Sequence, residues 1–236
     1  MVYKTVLAVW GVMGLSAFAL PPAKMHCVMF GSEVELQTMA GDRLGDPLTS
    51  SECGQARKNA GPAFACAKFG TQWFLTRVET GQKFGPSLPL SDCTQIAASS
   101  GPELYCSQKA GGGSRPWYPT HWRTQVAFGR FGTSLADCLV LTKYSVPGLV
   151  CTNTGTYNFA GRKPTRVDER SYSDSNLMGA SGQQEPCTRA TAESRGGYVC
   201  VCNGDFCGNT DWIKHDVARN QSMGPNTTIA SCIASQ

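Results

Sequence analysis

Histidine is scarce in this 236-residue chain, with only His26, His121 and His215 present. That scarcity disfavours zinc sites, which draw on histidine and on closely grouped cysteines. It also leaves few bases for nucleophilic catalysis. Each of the three reads as a surface or packing histidine: His26 adjoins a cysteine of the disulfide framework, His121 lies between Thr120 and Trp122, and His215 precedes Asp216 in a polar stretch. No Gly-x-Ser-x-Gly elbow occurs, and Gly179–Gly182 has only a loop composition. Gly111, Gly112 and Gly113 lack the Lys-Ser/Thr that completes a phosphate-cradling loop. The 17 acidic residues offer no pair that stands out for glycoside chemistry. Charge is sparse as well, at 16% of residues, and no four basic residues run together. A nucleic-acid partner is therefore not expected. With 26 Gly and 13 Pro, long amphipathic helices are broken up before they can form. The expectation is a non-enzymatic protein without cofactor or metal.

Only the N-terminus carries a sustained apolar run. Met1–Lys4 is a positive start, Thr5–Leu15 is apolar, and Ala17, Phe18 and Ala19 form a small-x-small cleavage site. Residues 1–20 are read as a signal peptide. The C-terminal Ala230–Gln236 lacks a hydrophobic tail for a lipid anchor, so no membrane anchor is expected. Export to an oxidising compartment makes the 12 cysteines a disulfide framework.

Those cysteines are spaced with a rule. Cys53 and Cys66, Cys93 and Cys106, Cys138 and Cys151, and Cys187 and Cys200 are each separated by twelve residues. A turn residue precedes the second cysteine of each pair by four positions: Pro62, Pro102, Pro147 and Gly196. A longer register starts at Cys27, Cys66, Cys106, Cys151 and Cys200, with spacings of 39, 40, 45 and 49 residues. This is a repeated module with loop insertions. Most starts lead to a Thr-, Val- and aromatic-rich stretch that reads as a strand, as in Gln72–Val78, Trp122–Phe128 and Thr165–Val167. Between paired cysteines, Gln55–Asn59, Thr94–Ser100 and Thr188–Ser194 have room for one or two helical turns, whereas Leu139–Tyr144 is more apolar.

The expected fold is mainly β, small and disulfide-rich, built of repeated cysteine-linked modules with short strands, loops and little helix. Repeats one and two would span 27–106, and repeats three and four 115–232. The separating stretch is Gly111–Ser114, with Arg162–Gly182 a second candidate boundary and one continuous array the alternative. The simplest connectivity joins 53–66, 93–106, 138–151 and 187–200. Cys202 and Cys207 enclose a tight Asn-Gly turn and would pair locally, leaving Cys27 to Cys232. Staggered pairing between successive units is the rival.

The aromatic residues Trp73, Phe74, Trp117, Tyr118, Trp122, Phe128 and Phe131 divide between core and interface roles, with core preferred. Arg57, Lys58, Lys143, Arg189 and Arg195 fall inside the cysteine pairs, where a cystine-closed loop would present a basic residue to a trypsin-like protease. Asn220 and Asn226 open two glycosylation sequons, Asn220–Ser222 and Asn226–Thr228.

The string Gly197–Asn209, with Cys200, Cys202 and Cys207, resembles the end of extracellular three-finger domains. These are the lymphocyte-antigen, urokinase-receptor and quiver type, together with the nematode cysteine-rich ET modules. The likeness covers Cys187–Cys207. It departs where Gly208 precedes Asn209 and in lacking an early cysteine cluster. The resemblance implies a Cys187–Cys200 bridge, a Cys202–Cys207 loop and receptor or ligand binding without catalysis. The expected function is secreted, extracellular protein–protein recognition, with protease inhibition as the alternative and a secreted hydrolase third.

Overall fold

The computed structural model describes residues 25–101, 103–109, 116–129, 131–146, 148–153, 157–162, 172–180, 184–194, 197–202, 210–217, 219 and 221–236. The expected signal peptide, the Gly111–Ser114 stretch, strand 165–167, Arg195, Cys207 and Asn220 lie outside these residues.

Five units follow one another. The first is β1 (Met25–Phe30), β2 (Glu33–Thr38) and α1 (Ser50–Lys58), and the second β3 (Phe64–Phe69), β4 (Gln72–Arg77), β5 (Lys83–Leu88) and α2 (Leu90–Ser99). The third is β6 (Leu104–Gln108), β7 (Trp117–His121) and α3 (Leu135–Lys143). The fourth is β8 (Leu149–Asn153), β9 (Tyr157–Arg162), β10 (Tyr172–Ala180) and α4 (Gln184–Ala192). The last is β11 (Tyr198–Cys202), β12 (Trp212–Asp216), β13 (Gln221–Thr227) and α5 (Ile229–Ala234). The protein is mainly β and disulfide-rich.

Every unit opens with an antiparallel hairpin. In the first two, the pairs Phe30/Glu33 and Phe69/Gln72 leave two-residue turns that begin at Gly31 (φ +62) and Gly70 (φ +63). A left-handed first turn residue matches the right-handed twist of the strands, and glycine adopts it without strain. Strands β6 and β7 form one hairpin across 109–116. In the last two units, β8 to β13 join in a six-stranded sheet.

Each unit closes with a helix, and the starts of α1, α3 and α5 are written locally, whereas α2 begins at Pro89 without a side-chain cap. Thr49, Ser134 and Thr228 accept from the backbone N–H of the residue three positions on. At α1 the exchange is reciprocal, because Glu52 accepts from the Thr49 N–H at 2.8 Å. The helices end on another repeated device. Ser100, Ser145 and Ser194 each donate to the carbonyl three residues back, at 2.7, 2.7 and 2.8 Å. The cysteine-pair loops thus hold the last five or six residues of helices α1 to α4, each nine or ten residues long and begun three residues before its cysteine, and the apolar Leu139–Tyr144 loop is among them.

The disulfide pairing corrects the simple expectation. The bonds are Cys27–Cys53, Cys66–Cys93, Cys106–Cys138, Cys151–Cys187 and Cys200–Cys232. Neither 53–66, 93–106, 138–151, 187–200 nor 27–232 forms, so the bridge implied by the three-finger resemblance is also absent. One cysteine is the third residue of each unit's first strand, and the other is the fourth residue of its helix. Their Cα atoms lie 5.8–6.0 Å apart in all five, within bonding range. The twelve-residue spacing is a helix and a turn between two different bridges. Cys202 is also disulfide-bonded.

Units stack because each helix packs on its own hairpin and also on the first strand of the next unit: α1 on β3, α2 on β6, α3 on β8, α4 on β11. One core cluster runs from Met25 to Cys138, and a second from Leu141 to Cys232. Close approach is visible at two glycines. A Cβ on Gly61 would collide with the Ala97 carbonyl oxygen, and one on Gly101 would lie 2.7 Å from that of Thr142. The Trp122–Phe128 stretch corrects another expectation. Its start is a turn, with Gln125 at φ +57, the one non-glycine residue at positive φ among the described residues. Gln125 holds that conformation with both ends of its amide: it donates to the Trp122 carbonyl and accepts from the Tyr105 hydroxyl at 2.9 Å.

Candidate functional site

Helix α3 is apolar on more than one side. Leu135 and Leu139 pack toward the first core cluster, and Leu141 belongs to the second. Val140 and Tyr144 are left over, exposed to 37% and 41%. They form one wall of a groove of about 490 Å³, whose other wall is α4 through Gln184, Glu185, Thr188, Arg189, Ala192 and Glu193.

Two features set the width of this groove. At the helix starts, Gln184 Nε2 donates to the Asp137 carbonyl at 3.3 Å and ties α4 to α3. Toward the helix ends, Val146 stands where Gly61 and Gly101 stand at the two earlier junctions. All three donate their N–H to the carbonyl three residues on. The glycines admit the following helix, whereas Val146 places a branched side chain there, packed against the second core cluster. A floor of Val140, Tyr144 and Ala192 is thus rimmed by charge. Arg189 Nε pairs with Glu193 Oε1 at 3.5 Å along one helical face, Glu185 sits at the α4 start, and Lys143 Nζ lies 5.5 Å from the Tyr144 ring centre. An apolar centre with a polar rim is the anatomy of a recognition surface. The Thr188 hydroxyl is committed to the Gln184 and Glu185 carbonyls at 3.1 and 3.0 Å, and among the described residues the groove lining holds no Ser, Cys or His.

The sequence candidates scatter. His26 is exposed, whereas His121 and His215 are buried, their Nδ1 atoms within 3.0 and 3.2 Å of the Thr124 and Ser222 hydroxyls. Among the described residues, no three His, Cys, Asp or Glu side chains are grouped to hold a metal ion. Of the aromatics, Trp73, Trp117 and Phe128 are buried; Phe74, Tyr118 and Trp122 are half-buried; Phe131 is exposed. Arg57, Lys58, Lys143 and Arg189 lie on helices, not on cystine-closed loops. Asn226 is exposed on β13.

One cationic cluster is structural. The Arg77 guanidinium lies 3.9 Å from the Trp122 ring centre and 5.4 Å from that of Phe64, and Arg123 lies 4.7 Å from Trp122. Burial pushes the Arg77 pKa down, opposed by its hydrogen bond to Glu79. Beside it, burial raises the Tyr105 phenol to about 12, against the hydrogen bond with Gln125. Residue-type reasoning passed over Val140, Tyr144 and Gln184; the one signal was the excess apolar content of Leu139–Tyr144. No protein-family model, curated protein or solved structure matches this chain.

Proposed function

We propose that this is a secreted, non-enzymatic recognition protein whose α3–α4 groove takes an amphipathic segment of an extracellular protein. The observation that carries the reading is the pairing of exposed Val140 and Tyr144 with a charged rim across about 490 Å³. Apolar side chains of the partner would sit against Val140, Tyr144 and Ala192, and a basic residue would face Glu185. The disulfide framework supports an extracellular setting, because such bonds persist in oxidising compartments.

The protease-inhibitor alternative needs a basic residue on a loop closed by a cystine. Lys58 and Lys143 instead end helices, and no bond joins Cys53 to Cys66 or Cys138 to Cys151.

The test is capture from extracellular fluid of the source organism on the immobilised chain, run beside Val140→Asp and, as a control remote from the groove, Lys83→Glu. A partner retained by wild type and Lys83→Glu but lost with Val140→Asp supports the groove. A partner set unchanged by Val140→Asp overturns it.

A further inference from the structure

The unit–unit interface has two faces, and among the described residues the first and the last unit each leave one of them exposed. In units two, four and five, the residues flanking the strand cysteine lie against the preceding unit and are buried: Ala65 and Ala67 at 0%, Val150 and Thr152 at 0%, Val199 at 0% and Val201 at 3%; in unit three Tyr105 is buried at 2% and Ser107 half-buried. In the first unit the corresponding His26 is exposed and Val28 half-buried, and Phe30, which corresponds to Phe69, is 56% exposed.

The opposite face shows the same change at the other end. An apolar residue and a left-handed glycine stand nine and eight positions before the helix cysteine, as Leu44-Gly45, Phe84-Gly85 and Met223-Gly224, with φ of +75, +69 and +85 at the glycines. Leu44 and Phe84 are buried at 3% and 4%, but Met223 is 39% exposed. Gly45 lies under β3, where a Cβ would stand 2.5 Å from the Lys68 carbonyl oxygen, whereas a Cβ on Gly85 or on Gly224 would meet nothing within 4 Å; the exposure of the apolar residue before it sets Met223 apart. Beside Gly224 is a cleft of about 340 Å³ lined by Lys214, Met223, Pro225, Thr227, Ser231 and Ser235. At the first junction, the positions matching Pro225 and Ser231 are Asp46 and Glu52. Asp46 accepts from Gly70 N–H at 2.6 Å, and Glu52 pairs with Lys68 at 2.9 Å. Among the described residues, α5 packs on β11, β12 and α4 but on no following strand.

We propose that a second copy of this chain fills that cleft, its β1 lying on α5 as β3 lies on α1. Phe30 and Val28 of one copy then cover Met223 and Pro225 of the next. The contact repeats the four internal junctions, which is what selects a second copy as the occupant. The two surfaces differ, so the association is heterologous and extends by addition.

Sedimentation velocity of the purified protein across a concentration series tests this. Wild type should grow in mass beyond a dimer as concentration rises. Phe30→Asp, blocked at one face, and Met223→Asp, blocked at the other, should each stay monomeric. Mixed in equal amounts, they should give a species of roughly twice the monomer mass and nothing larger, because only one compatible pair of faces remains. Both substitutions are at exposed positions, and retention of the disulfide pattern by peptide mapping certifies their folds. A wild-type chain that stays monomeric throughout overturns the proposal. So does association that persists in either single variant, or a mixture that forms no dimer.

Discussion

Lys68 Nζ donates to Glu52 Oε1 at 2.9 Å, joining the first strand of the second unit to the first helix turn of the first. Glu52 also accepts from the backbone N–H and the hydroxyl of Thr49, at 2.8 and 3.0 Å. One carboxylate therefore caps α1 and fastens the junction between units.

The Thr49 N–H, followed by Lys68, holds the Glu52 carboxyl below its ordinary value of 4.5. A carboxyl depressed in the folded state contributes stability that is present above its unfolded value and lost as pH falls through the folded value. Urea unfolding of wild type should therefore weaken as pH is lowered from 5 to 3, and Glu52→Gln should show a shallower dependence over the same window. Two parallel pH profiles would remove Glu52 from this role.

Tyr105 has the opposite sign. Its phenol is raised to about 12 by burial, so the unfolded chain loses this proton first as pH rises. Stability should fall between about pH 10, the ordinary tyrosine value, and pH 12. Tyr105→Phe should remove the last step of the ultraviolet tyrosine titration. A titration in which that step survives the substitution contradicts the assignment.

Gly101 and Gly54 form a matched pair. A Cβ on Gly101 meets the Thr142 carbonyl and the Ser145 hydroxyl, whereas one on Gly54, within α1, meets nothing within 4 Å. Gly101→Ala should destabilise by about 1–3 kcal/mol through overpacking. Gly54→Ala should stabilise by about 0.5–1 kcal/mol, the helix-interior difference between the two residues. Thermal or urea unfolding of both variants reads the signs, and equal signs would contradict the stacking of α3 on the Gly101 turn.

The Cys106–Cys138 bond closes a separation of 32 residues. In the chain-entropy model, its removal as a double serine variant costs about 4 kcal/mol. Non-reducing peptide mapping of the native protein should find Cys106 linked to Cys138, and Cys53 linked to Cys27. A Cys53–Cys66 peptide would refute the strand-to-helix pattern.

Much of the architecture was legible along the chain. The starts at Cys27, Cys66, Cys106, Cys151 and Cys200 each mark a unit, because a repeated cysteine followed by a β-rich stretch recurs wherever a hairpin must be cross-linked. The helices were legible too, though in a different signal. Thr49-Ser-Ser-Glu52 and Ser134-Leu-Ala-Asp137, each just before a cysteine, are cap sequences that place that cysteine in the second turn of a helix. Val140 and Tyr144 showed only as excess apolar content, since their exposure depends on where α4 lies.

By itself, then, the sequence determined the β character of the repeated units and the capped starts of α1 and α3, because turn chemistry, caps and cysteine spacing act over a few residues; the structure has five units where the sequence reading grouped the cysteines into four repeats. Only the tertiary structure decided which cysteines bond. A helix of nine residues carries the chain about 13 Å away before the next strand begins. The cysteine nearest in sequence is therefore in another layer, and the partner is the one that the hairpin and helix bring within 6.0 Å. The same long-range packing decided the groove and the uncovered end faces, which exist only once one unit is laid on the next.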